Sequence, residues 1–68
     1  MRFECDFEHR DTGEHRTISV TLTADEVEMS EAAPEPELYA MAYALRHAYG
    51  EMPEGFLHTE PPVAIRTN

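Results

Sequence analysis

The first 23 residues alternate. Phe3, Cys5 and Phe7 are separated by Glu4 and Asp6, and Ile18, Val20 and Leu22 are separated by Ser19 and Thr21. A period of two in aromatic and β-branched residues belongs to a strand with one buried face. Between the two stretches lies Asp11-Thr12-Gly13-Glu14, where Gly13 supplies the positive φ that a tight turn needs. A β-hairpin is therefore expected. Parity puts the odd residues of the first strand and the even residues of the second on the core face. The pairing that joins them sets Phe3 opposite Leu22, Cys5 opposite Val20 and Phe7 opposite Ile18. Thr12-Gly13 is then a two-residue turn, or Asp11–Glu14 a four-residue loop.

Beyond the hairpin, residues 24–36 are expected to form a loop with at most one helical turn. Thr23 and Glu26 have the spacing of a capping box, but Val27 and Met29 alternate with glutamates as a strand would. Pro34 and Pro36 end whatever forms there. From Glu37 to Tyr49 the period is helical, with Leu38, Met41, Ala42, Leu45, Ala48 and Tyr49 on one expected buried stripe. Pro36 suits the first helical turn and Gly50 the residue just past the last. After a turn at Met52-Pro53-Glu54-Gly55, Phe56 and Leu57 are apolar anchors. Pro61-Pro62 then precedes a third strand over 63–67. The expectation is a single α+β domain spanning 1–68, a ββαβ unit with one helix on one face of the sheet. The strand order 2-1-3 makes the third strand antiparallel to the first with a right-handed crossover.

Size limits the core: a chain of 68 residues buries only about 60% of the surface that it exposes unfolded. Cys5 is the lone cysteine, so no disulfide forms within the chain, and a lone thiol reads as reduced and cytoplasmic. Glu4 and Asp6 stand where a signal peptide needs a basic start and an apolar run, and no stretch reaches the roughly 20 apolar residues of a membrane span.

Charge narrows the partners further. Fourteen acidic residues against five basic give a formal charge of −9, which disfavours nucleic acid and anionic membranes and permits a basic protein. Every basic residue is an arginine, so no side-chain amine exists for Schiff-base chemistry.

Two surfaces are candidates for partner binding. Glu4, Asp6 and Glu8 form a row of carboxylates about 6.7 Å apart on the outer face of the first strand. Such a row imitates a phosphate backbone, and is also what the solvated face of a one-sided sheet carries. Tyr39, Tyr43, Arg46 and His47 flank the expected helical stripe, and tyrosine and arginine are the types enriched at interface hot spots. The second strand, Thr17 to Thr23, holds no charge and no proline. As a sheet edge it invites pairing with another copy, so either residues 24–33 cover it or two chains join there as a homodimer.

No catalytic constellation, cofactor motif or metal-ligand spacing emerges. His9 and His15 sit in two Glu-His-Arg copies on opposite faces of the hairpin, and His47 and His58 lie far off in sequence. Cys5, between Phe3 and Phe7, reads as an inert core thiol. The expected function is a small acidic non-enzymatic interaction module; the alternative is a metal-binding or enzymatic protein whose histidines converge in space.

Overall fold

The computed structural model describes residues 1–65. The elements run β1 (Arg2–His9), β2 (His15–Thr21), α1 (Ala24–Glu31), α2 (Pro36–Glu51), β3 (Phe56–His58) and β4 (Val63–Ile65). The class is α+β with an N-terminal hairpin, as the alternation requires. The element count differs from ββαβ: two helices and four strands replace one and three.

β1 is the central strand. It pairs antiparallel with β2 along one edge, and on the other edge with β4 over its first half and β3 over its second. The predicted third strand corresponds to β4, and β3, where only the apolar anchors Phe56 and Leu57 were expected, is an additional short strand. His58 lies opposite Phe7 and Val63 opposite Glu4, so more residues intervene on the outer strand than on β1. The excess contains Pro61 and Pro62, which donate no ladder hydrogen bond and lift the chain off the sheet. Residues 66 and 67 of the expected strand lie outside the described residues.

The hairpin register is displaced by two residues from the expected one. Phe3 faces Val20, Cys5 faces Ile18 and Phe7 faces Arg16. A shift of two preserves parity, so each side chain keeps its face. The cause is the turn. The chain closes at His9 and Glu14, where the His9 amide donates to the Glu14 carbonyl at 2.8 Å, leaving Arg10–Gly13 as the loop. Gly13 takes φ 74°, and the His9 Nδ1 accepts the Asp11 and Thr12 amides at 3.1 and 3.4 Å. That side-chain cap sets the four-residue loop at Arg10–Gly13, one position earlier than the expected Asp11–Glu14 loop.

Residues 24–31 are helical, not a loop. The capping box is complete: Thr23 Oγ1 accepts the Glu26 amide at 3.1 Å and the Glu26 carboxylate accepts the Thr23 amide at 2.9 Å. This cap, with tertiary support from α2, overrides the weak alternation of Val27 and Met29. Helix α2 extends through Gly50 to Glu51, so Gly50 lies inside it and not past its end.

The buried stripe of α2 also differs from the expected one. Ala40, Ala44 and Ala48 are buried, Met41 and Tyr43 are partly so, and Leu38 and Tyr49 stand exposed. At about 100° per residue, the helix is rotated by roughly 100° from the face its large apolar residues define. The sheet explains the turn. Phe3, Phe7 and Phe56 fill the layer between sheet and helix, and only alanine faces let the helix backbone approach them. Cys5, Val20 and Leu22 complete the core. Both layers thus meet on one face of the sheet, and the face bearing Glu4, Asp6 and Glu8 carries no helix.

Candidate functional site

The uncovered sheet face is built by alternation. With Phe3, Cys5 and Phe7 turned to the helix, Glu4, Asp6 and Glu8 must point away from it. Register then sets their neighbours. On the β2 side, Glu4 faces Ser19, Asp6 faces Thr17 and Glu8 faces His15; on the other side Val63 lies beside Glu4 and Leu57 beside Glu8. Asp6 accepts the Thr17 hydroxyl at 2.7 Å, and His15 Nε2 lies 3.1 Å from the Glu8 carboxylate. Glu4 has no ion-pair partner among the described residues. Leu57 and Val63 are 55% and 62% exposed, so the acidic row is bordered by bare apolar side chains. Carboxylates beside exposed aliphatic groups make a surface of mixed character, unlike a purely solvated face.

β2 is an edge strand. The Leu22 amide donates to the Met1 carbonyl and the His9 amide to the Glu14 carbonyl, so the even-numbered residues of β2 bond to β1. The backbone groups of Thr17, Ser19 and Thr21 therefore point outward, in a segment without charge or proline. α1 packs against α2.

The helix-flank set is divided. Tyr39, Tyr43 and Arg46 line a shallow depression of about 250 Å³ together with Ala42. His47 does not join them. Its Nε2 donates to both oxygens of the Glu26 carboxylate, at 2.7 and 2.9 Å, and so ties α2 to the first turn of α1. The rotation of α2 causes this division, because it turns His47 toward α1. Tyr43 packs against the core, with its hydroxyl 3.9 Å from the Met29 sulfur.

The Thr23 amide and then the His47 hydrogen bond hold the Glu26 carboxyl below its ordinary value. A carboxyl whose pKa is lower folded than unfolded stabilises the fold above its unfolded value. That contribution disappears as pH falls through the folded one. Glu26→Gln should therefore lower stability at neutral pH, and its difference from the native chain should vanish well below pH ~4.3, the ordinary glutamate value. Urea melts followed by circular dichroism along a pH series measure this; a difference independent of pH would contradict it.

The four histidines sit apart, each on its own neighbour. His9 meets Phe56 edge to face at 5.0 Å, His15 meets Glu8, His47 meets Glu26, and His58 Nδ1 lies 2.6 Å from the Tyr49 hydroxyl. Among the described residues no three His, Cys, Asp or Glu side chains gather around a point where a metal ion could sit. The sequence put Tyr49 on the buried stripe and His58 among the scattered histidines, and did not pair them. Their bond spans a turn and two elements, and no spacing rule encodes it. Both rings are exposed, so a proton there exchanges with water. At the tip, Arg16 pairs with Glu14 at 2.7 Å and Arg10 with Asp11 at 3.6 Å. Burial, followed by the Asp6 charge, pushes the Cys5 thiol up, which leaves it a weak nucleophile.

No helix among the described residues is long and apolar enough to cross a membrane. Comparison with protein-family models, with curated proteins and with solved structures found no match.

Proposed function

We propose that this chain is a non-enzymatic interaction module that pairs with a second copy through the β2 edge and captures a basic protein on its uncovered sheet face. The observation that carries the reading is that face itself: an acidic row at the centre of the sheet, flanked by exposed Leu57 and Val63 and covered by no helix. Interfaces combine apolar contact with charge complementarity, and the sheet offers both to a basic partner.

The edge fits self-pairing. An antiparallel pair centred on Ser19 sets Ser19 against its own copy and Thr17 against Thr21, an uncharged pairing of β-branched residues. Two copies joined in this way form one continuous sheet. Their two acidic rows lie on the same side, about 14 Å apart across three strand spacings. Each chain brings a formal charge of −9, so the joined face would bind cations more strongly than either half. The reducing cytoplasm suits the lone buried thiol.

A tagged protein incubated with cell lysate and washed at rising salt tests the capture. Retained proteins should be basic and should leave as salt screens the contact. The double variant Glu4→Arg and Glu8→Arg, with an unchanged circular dichroism spectrum, should retain at least tenfold less. Undiminished retention by that variant would overturn the assignment of the surface.

A further inference from the structure

At the end of the domain away from the hairpin tip, an open cleft of about 590 Å³ lies between the α1–α2 junction and β4. Its volume is within the range of sites that hold a ligand or an anchoring side chain. Phe3, Ala40, Met41 and Pro62 contribute the apolar floor, and of these Phe3 and Ala40 are 4% and 3% exposed. Two parts of the wall are stiffened by proline: Pro36 opens α2, and Pro61-Pro62 hold the segment before β4 off the sheet. The cleft is therefore a preformed hollow with little freedom to collapse.

Among the described residues every charged side chain lining it is acidic, and the one lining cation is the α-amino group of Met1. Glu31 comes from the end of α1, Glu37 from the first turn of α2, and Glu60 from the segment before β4; all three are exposed. Among the described residues none of them forms an ion pair. An apolar floor ringed by three carboxylates selects against an acidic or purely polar occupant. Val63 belongs both to this cleft and to the outer sheet face, where it lies beside Glu4.

We infer that the cleft is an anchor pocket for a basic peptide segment, which inserts one aliphatic side chain between α2 and β4 while flanking arginines or lysines meet Glu31, Glu37 and Glu60. The inference rests on the reading of the chain as a binder of basic proteins, and it names the feature recognised: an aliphatic residue within a basic run. Deep insertion of one side chain supplies the affinity, and the rim supplies the preference for charge.

The test is a titration of ¹⁵N-labelled protein with a blocked synthetic peptide, Arg-Arg-Leu-Arg-Arg. Saturable amide shifts should appear at Phe3, Ala40, Met41 and Ala64. Replacing the peptide leucine by serine should abolish them. Glu37→Gln with Glu60→Gln should weaken binding about fivefold, as expected for the loss of two exposed ion pairs. Absence of shifts, equal shifts with the serine peptide, or affinity unchanged in the glutamine variant would each overturn the pocket. Glu4→Arg with Glu8→Arg separates the two claims, since it should leave these peptide shifts in place while removing capture by the sheet face.

Discussion

Phe7→Ala should remove about 3–5 kcal/mol of folding stability, enough to unfold much of the population. A domain of this length is stable by only about 3–10 kcal/mol in total. Phe7 is fully buried at the centre of the central strand, and its ring meets Tyr49 edge-on at 5.1 Å. The fully buried positions of the facing helix are alanines, too small to fill the space that the ring leaves, and the one large α2 side chain in ring contact, Tyr49, is held by its bond to His58. Chemical denaturation followed by circular dichroism measures the loss. Leu57→Ala is the control, being apolar but 55% exposed on the same sheet; it should change stability by less than about 0.5 kcal/mol. If Phe7→Ala cost no more than the control, the packing of α2 over β1 would be wrong.

Gly55→Ala should be the most costly change outside the core, at about 2–4 kcal/mol. Gly55 has φ 99°, a conformation that strains any residue with a Cβ. An added Cβ would also stand 2.5 Å from Nε2 of His9. The His9 ring cannot easily yield, because Nδ1 accepts two amides of the hairpin loop and the ring face meets Phe56. Gly13 provides the comparison: its φ is 74° but open space surrounds it, so Gly13→Ala should cost only the conformational part, about 1 kcal/mol. Adding His9→Ala to Gly55→Ala should relieve the steric part, and the two costs should sum to more than the double variant shows. Additive costs would mean that His9 and Gly55 do not touch.

The sheet faces were legible in the sequence because parity survives a change of register. The register itself was not, since the His9 side chain that fixes where the loop sits acts through two backbone amides and leaves no mark in the alternation. The α2 face was misjudged for an energetic reason. Leu38 and Tyr49 are the larger residues, yet the α2 positions buried against the three phenylalanines are alanines, with Met41 and Tyr43 only partly buried beside them. The acidic row was readable from β1 alone, whereas the exposed Leu57 and Val63 beside it depend on how 56–65 folds back onto β1. His47 looked like a partner-facing residue until the helix rotation brought it to Glu26, 21 positions away in sequence. Helical spacing put Tyr39, Tyr43 and Arg46 on one flank of α2, and the shallow depression between them is visible only in the structure.

Sedimentation velocity at tens of micromolar, on the native chain beside Ser19→Pro, tests the proposed platform most directly. The Ser19 amide points away from β1, so proline there spares the hairpin ladder and blocks only a strand added outside it. A native species of twice the chain mass that Ser19→Pro returns to a folded monomer is the result expected from pairing at β2. A native chain that sediments as a monomer, or a dimer untouched by the proline, would contradict it.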